Sequence, residues 1–211
     1  MSGKAPLKLG VLVSGSGTNL QAIIDSIEAG TLNASICCVI SNCADAFALT
    51  RAKKHGIPAL LHENSGFADR SEYDEATVEI LRGHGVELVI LAGYMRILSD
   101  TMVNAYPDAI MNIHPALLPA FPGLHAQQQA LDYGVRYSGC TVHFVDTGTD
   151  TGPVILQSLV PVEQDDTEES LSVRIQKVEH RTLPAAISLY AEGRIKVEGR
   201  HVRILADADI I

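Results

Sequence analysis

No two of the chain's four cysteines, Cys37, Cys38, Cys43 and Cys140, are spaced C-x-x-C. That absence argues against a zinc ribbon or a dithiol redox centre, which need paired thiolates. Cys37 and Cys38, adjacent in an apolar run, read instead as small core thiols in a reducing compartment. No apolar stretch reaches the ~18 residues that span a bilayer. Met1 to Pro6 is too short and polar before the first strand to be a signal peptide. The expected location is therefore the cytoplasm, with no membrane partner. A basic excess is missing too: 25 acidic residues face 16 Lys and Arg, a net charge of −9. A nucleic-acid partner is not expected, because such proteins present a basic face. Small anions are not excluded, since a few backbone N–H groups can hold a phosphate on an acidic protein.

What is present is the balance of a soluble globular protein, 46% apolar and 19% charged over 211 residues. That predicts one domain, 1–211, in two halves of about 7–113 and 114–204. Leu7 to Val13 is nearly all apolar, as a strand buried on both faces should be. After Ser14 to Thr18, a helix begins near Asn19. Leu20, Ile23, Ile24 and Ile27 form its stripe and Gly30 ends it. The alternation continues: strand Ser35 to Ile40, helix Asp45 to His55, short strand Ala59 to Leu61, and a helix after Ser71 with Gly83 beyond it. Strand Val86 to Ala92, a short helix around Met102 and Val103, and strand Ala109 to Ile113 complete the first half. Such β-α-β units predict an α/β fold, a Rossmann-like, mostly parallel twisted sheet with helices on both faces.

The second half changes character. Pro115, Pro119, Pro122 and Gly123 predict a stiff loop. His125 to Tyr133 reads as helical, Tyr137 to Val145 and Val154 to Val162 as strands around a loop from Asp146 to Gly152. Thr167 to Ala191 predicts a long helix with Asp165, Asp166 and Thr167 as cap candidates. Arg194 to Val197 and Arg200 to Ile204 would pair across Glu198 and Gly199. The C-terminal part thus combines antiparallel strands with a long helix. Residues from Ala206 to Ile211 carry no usable signal.

Gly15-Ser16-Gly17-Thr18-Asn19, between a strand and a helix, lets backbone N–H groups converge where the helix dipole is positive. A dinucleotide fingerprint would place a third glycine where Leu20 stands, and an acid about 20 residues on, where the chain reads Cys38-Val39-Ile40-Ser41-Asn42. The Gly-Lys-Ser/Thr of a Walker A loop is absent. The loop suits one phosphate; the alternative is a tight turn with no ligand.

Met111-Asn112-Ile113-His114-Pro115 lies where the fifth strand ends, the rim at which open α/β sheets bind ligands. Alternation puts Asn112 and His114 on one side of the strand, about 7 Å apart. Asn112 offers an amide donor and charged His114 another, which together would make an oxyanion hole for acyl transfer. A carboxylate from the loop Asp146 to Gly152, placed near His114, would raise the imidazole pKa. The alternative is a surface asparagine and a capped histidine. No Gly-x-Ser-x-Gly elbow and no suitable cysteine nucleophile is present, so a substrate amine would attack directly.

Asn112-Ile113-His114-Pro115, with Leu117-Leu118-Pro119, Pro122-Gly123-Leu124-His125 and Asp150-Thr151-Gly152-Pro153, resembles the folate-dependent formyltransferases. The glycine loop, Ala92 to Leu98 and Glu179-His180 resemble the members that formylate a phosphorylated ribosyl amine in purine synthesis. The resemblance covers roughly residues 8 to 197. It implies 10-formyltetrahydrofolate as co-substrate, no metal, and glycinamide ribonucleotide as the small-molecule acceptor. It further implies that Gly17, Thr18 and Asn19 bind the phosphate and that Glu179 and Pro115 contact the substrate. Arg70, Met95, Arg96, Ile97, Leu98, Asn112, Asp146, Thr147 and Gly148 would line the folate site. Asn112, His114 and Asp150 would be catalytic. Asp150 is expected to outweigh desolvation and keep His114 charged, with Asp146 as the substitute partner. A homodimer is compatible with the sequence.

Three rivals share parts of this pattern. A formyltransferase acting on methionyl-tRNA would want a further domain and a basic face. A formyltetrahydrofolate deformylase, which uses water in place of the amine, would want an extra N-terminal domain and is the nearest enzymatic alternative. A non-catalytic nucleotide-sensing module would have no use for Asn112, His114 and Asp150 together.

Overall fold

The computed structural model describes residues 5–206. The polar N-terminal segment read above as no signal peptide lies outside them through residue 4, as does the C-terminal stretch from residue 207. The elements, in order, are β1 (Leu7–Val13), α1 (Thr18–Glu28), β2 (Ala34–Ser41), α2 (Phe47–Lys54), β3 (Ala59–Leu61), α3 (Arg70–Gly83), β4 (Leu88–Leu91), α4 (Asp100–Ala105) and β5 (Ile110–His114). They continue with α5 (Ala126–Tyr133), β6 (Tyr137–Phe144), β7 (Val154–Pro161), α6 (Glu168–Ala191), β8 (Ile195–Glu198) and β9 (His201–Ile204). The chain divides into two compact units, the first ending at Met111 and the second starting at Asn112.

In the first unit the strand order is β3-β2-β1-β4, followed by β5. β1 pairs in parallel with both β2 and β4, and β2 with β3. Such central strands need apolar side chains on both faces, and Leu9, Val11, Leu12, Val13, Leu88, Val89 and Ile90 are all fully buried. Leu20, Ile23 and Ile24 supply the stripe of α1 as expected. Several boundaries differ from the sequence reading: β4 is Leu88–Leu91 within the expected 86–92, α2 is Phe47–Lys54 within 45–55, and both ends of α3 move. α3 starts at Arg70, because Asp69 caps it by accepting the Glu72 N–H at 3.0 Å, and Gly83 is its last residue. Cys37 is only half-buried, so of the adjacent thiols Cys38 alone is a core residue; its burial pushes the thiol up to about 12.

In the second unit β5 is followed in the sheet by β6 and β7, which pair antiparallel. The mostly parallel, Rossmann-like sheet with an antiparallel C-terminal extension is thus the fold the sequence predicted. Thr167 caps α6 in a reciprocal box: the Ser170 N–H reaches Thr167 Oγ1 at 3.2 Å and the Thr167 N–H reaches Ser170 Oγ at 2.9 Å. Asp166, another of the three cap candidates, is instead clamped by both Arg174 terminal nitrogens, at 2.6 and 2.9 Å. The last hairpin turns at Gly199 and Arg200, since Glu198 pairs with His201 and so belongs to the ladder.

The proline-rich segment between β5 and α5 includes a cis Leu118–Pro119 bond and is stitched down by two polar side chains, buried Thr141 and exposed Gln157. Thr141 Oγ1 donates to the Ala116 carbonyl at 2.7 Å and accepts from the Leu118 N–H at 3.0 Å. Gln157 donates to the Leu118 carbonyl and to the same hydroxyl, both at 2.9 Å. One donor and two acceptor bonds fill a hydroxyl's capacity. Among the described residues no helix is long and apolar enough to cross a membrane.

β6 and β7 meet so closely at Gly139 that a Cβ there would run into the Ser158 carbonyl oxygen and sit 2.9 Å from Leu117 Cδ2. Backbone cannot yield as a side-chain tip can, so Gly139→Ala is expected to cost about 1–3 kcal/mol. Urea unfolding checks this, and an unchanged midpoint would show that the strands separate freely.

Candidate active site

The glycine loop belongs to the first unit. Its carbonyls are taken by α2: the Ala48 N–H donates to the Gly15 oxygen at 3.1 Å and Arg51 Nε to the Ser16 oxygen at 2.8 Å. A trans peptide carries its N–H opposite its carbonyl, so the N–H groups of Ser16 and Gly17 turn away from α2. The first helical bond of α1 runs from Gln21 N to the Gly17 oxygen, which leaves the N–H groups of Thr18, Asn19 and Leu20 ahead of the ladder. Gly17 has a φ of 71°, and a Cβ there would lie 2.6 Å from Ala48 Cβ. Glycine is therefore required here on two grounds, conformation and space.

Other first-unit candidates lie in two places. Ser14 Oγ donates to Asn42 Oδ1 at 2.6 Å and accepts from the Met95 N–H at 2.9 Å. One hydroxyl thus ties the segments that follow β1, β2 and β4. Met95 and Ile97 are largely exposed while Leu98 is buried. The Arg96 guanidinium lies 4.1 Å above the ring of Tyr73, which stacks on His62. Arg70 opens α3 and is exposed.

The second unit brings Asn112, His114 and Asp150 together. Asp150 has a left-handed backbone (φ 55°), which turns its carboxylate back toward the end of β5. Its Oδ2 lies 3.3 Å from His114 Nδ1 and accepts the Gly123 N–H at 2.8 Å. Its Oδ1 accepts from Asn112 Nδ2 at 3.3 Å. Asp146 is not the partner of His114: its Oδ1 takes the Gly148 N–H at 3.0 Å and the Thr151 hydroxyl at 2.6 Å, which shapes the loop from within. Thr147 and Gly148 are exposed at its tip, and Pro115 is half-buried. Glu179 sits on the buried stripe of α6 with Ile175, Thr182 and Leu183.

Two expectations fail here. The Asn112 and His114 donors do not converge on open space. His114 Nε2 lies 2.8 Å from the Phe121 carbonyl, and Asn112 Nδ2 is directed at Asp150 and at His143 Nε2, 3.2 Å away. Buried donors close on the nearest acceptors when no substrate supplies one. Nor does the ion pair prevail at His114. The ring is 4% exposed, and desolvation pulls its pKa below the ordinary value, outweighing the Asp150 carboxylate and the Phe121 carbonyl that favour the charged form. Burial also pushes the Asp150 carboxyl up, but His143, the Gly123 N–H and the charge of protonated His114 together bring it below its usual range.

His143, on β6, is the residue that sequence reasoning missed. It is 2% exposed, its Nδ1 lies 2.8 Å from the Phe144 carbonyl and its Nε2 3.6 Å from Asp150 Oδ1. A polar residue next to the end of a buried strand is the signal that picked out Asn112 and His114, and it applied to His143 as well.

The chain is also similar in sequence and fold to known proteins. The formyl transferase family profile matches residues 7–187. The chain is 44% identical over 187 residues to the phosphoribosylglycinamide formyltransferase of Escherichia coli K12, covering 89% of this chain and 88% of that one. It is 46% identical over 188 residues to the trifunctional purine biosynthetic protein adenosine-3 of Drosophila melanogaster, but spans only 14% of that longer protein. A crystal structure of glycinamide ribonucleotide transformylase 1 from Symbiobacterium toebii superimposes with a TM-score of 0.95 at 52% identity, over 97% of this chain and 96% of that one.

The buried histidine sets a pH dependence. Because the folded pKa of His114 lies below 6.5, the folded protein binds fewer protons than the unfolded chain between the two values. Stability is complete above 6.5 and is lost as pH falls through that interval; Asp150 adds a second loss that starts only below 3.8. Between pH about 7.5 and 5 the melting temperature of wild type should therefore fall more than that of His114→Gln. The His114 ring, followed by NMR, should titrate below 6.5, and lower still in Asp150→Asn. A midpoint at or above 6.5 would overturn the assignment.

Proposed function

The chain belongs to the formyl transferase family, and from that premise we propose that it transfers the formyl group of 10-formyltetrahydrofolate to the amine of glycinamide ribonucleotide, in the cytoplasm, as a step of purine synthesis. The observation that carries this reading is the cluster of Asn112, His114 and Asp150 at the end of β5, in a chain that matches the E. coli enzyme over 89% of its own length and 88% of the enzyme's.

The substrate amine attacks the formyl carbon, a C–N bond forms, and the formyl oxygen becomes an oxyanion. Collapse breaks the bond to N10 of the folate, and the proton that leaves the amine ends on N10. Two donors serve the oxyanion. His114 Nε2–H exchanges the Phe121 carbonyl for it, and one amide hydrogen of Asn112 turns to it from Asp150. Both exchanges replace a neutral or shared acceptor by a full negative charge, so each bond strengthens as the reaction proceeds. The Asp150 carboxylate at His114 Nδ1 supports the protonated ring against its burial, and the developing oxyanion supports it further. No nucleophilic side chain is needed.

The phosphate of the ribonucleotide falls to Gly17, Thr18 and Asn19, where N–H groups and the α1 dipole favour an anion. Glu179 and Pro115 take the rest of that substrate. The folate falls to Arg70, the segment Met95 to Leu98, Asn112, and the loop from Asp146 to Gly148. Backbone groups at loops and strand ends suit such a ligand, because they hold position without rotamer entropy.

The test is tetrahydrofolate release from 10-formyltetrahydrofolate with and without glycinamide ribonucleotide. Release should require the amine; equal release without it would make the chain a deformylase. Asp150→Asn keeps shape and removes charge, and should lower kcat by about 10²–10³ with a smaller change in KM, the loss typical of one preorganised oxyanion donor. Near wild-type turnover would remove Asp150 from the mechanism.

A further inference from the structure

We propose that His143 is a positioning residue for Asn112, holding the carboxamide so that one amide hydrogen is anchored and the other is available to the reacting oxygen. This rests on the formyl-transfer reading for its consequence, though not for its geometry. The Phe144 carbonyl, 2.8 Å from His143 Nδ1, can only accept, so Nδ1 carries a hydrogen. In the neutral ring Nε2 then bears a lone pair. That lone pair faces Asn112 Nδ2 at 3.2 Å, which can only donate.

The tautomer of His143 therefore fixes which way the Asn112 amide points: nitrogen toward His143 and Asp150, oxygen away. An asparagine on a bare strand end could take either orientation. Of the two amide bonds the one to His143 is shorter, 3.2 Å against 3.3 Å to Asp150 Oδ1. Asp150 already has the Gly123 N–H and His114 on its other oxygen, so it can release the amide hydrogen and stay satisfied. Among the described residues His143 Nε2 has no such substitute donor: its other polar contact is a carboxylate oxygen at 3.6 Å. The anchored hydrogen is thus the one on His143, and the released one serves the substrate. Burial at 2% exposure keeps water from competing for Nε2.

Three measurements bear on this. In wild type at neutral pH, long-range ¹⁵N–¹H spectra should show His143 protonated at Nδ1 and bare at Nε2. The reverse tautomer could not accept from Asn112 and would overturn the proposal without any variant. His143→Gln places an acceptor near the Nε2 position, whereas His143→Leu fills space and offers none. His143→Leu should lower kcat about tenfold or more, the scale of one buried hydrogen bond, with KM for either substrate changing much less. Its Asn112 side-chain amide resonances should move toward those of a solvated amide. His143→Gln should retain several-fold more turnover than His143→Leu. Equal losses in the two variants would mean that His143 only fills space; if His143→Leu does not fold, His143→Met makes the same comparison. An inactive wild type would sink the transfer reading alone, since the tautomer and the amide resonances are read without turnover.

Discussion

Asp150 gathers donors from two separate stretches of chain onto one carboxylate and reaches a third through an amide. Asn112 and His114 come from β5 and Gly123 from the proline-rich segment, while His143 of β6 is linked to it through the Asn112 amide that both engage. A carboxylate withdrawn from water costs several kcal/mol unless its lone pairs are met. Each donor answers that demand, so the charge acts as a clasp: remove it and two segments lose a shared acceptor. The arrangement also explains why the loop from Asp146 to Gly152 is so constrained. Asp146 folds the loop on itself, Asp150 takes a left-handed conformation that few side chains adopt, and a Cβ at Gly152 would meet the Phe144 carbonyl oxygen. The chain accepts local strain there to deliver one charge.

The first unit solves a different problem by a different means. A loop that is to hold a phosphate, as proposed for this one, needs N–H groups aimed one way, so the carbonyls of the same peptides must be used elsewhere. α2 supplies that use, with Ala48 N–H and Arg51 Nε on successive carbonyls. Arg51 is held in turn by Gln21 at 3.1 Å and lies 4.9 Å over Phe47. The loop's geometry is therefore set from outside the loop, by two residues three apart on one helix face.

This difference decides what could be read from the sequence. The strands and helices were legible because their burial leaves a periodic trace: Leu7 to Val13 is apolar throughout, and Leu20, Ile23 and Ile24 repeat at helical spacing. The cap at Thr167 was legible because its chemistry is local. Asn112 and His114 stood out as a polar pair leaving an apolar strand. His143 carried the same signal, a polar side chain next to the end of a buried strand, but β6 already holds Ser138 and Thr141, so His143 did not break an apolar run as Asn112 and His114 did. The Arg70 and Glu198 boundaries were missed because a helix start and a turn were placed by residue type, whereas the hydrogen bond that Asp69 accepts and the pairing of Glu198 with His201 decide them.

The engagement of His114 with Phe121 could not have been read from sequence at all. It depends on the path of the proline-rich segment, where Phe121 and His125 both have a φ of 56°, and that path is fixed by Thr141 and Gln157 on neighbouring strands. A local reading assigns donors by residue type and assumes them free. In a buried site that assumption fails on physical grounds: an unpaired N–H costs more than a bent loop, so the fold brings a carbonyl to it. The same burial lowers the histidine's pKa, so the solvent exclusion that would strengthen an oxyanion bond also withholds the proton that makes it strongest. Asp150 is the residue that stands between those two effects, which is why a carboxylate, and not a neutral amide of the same shape, occupies that position.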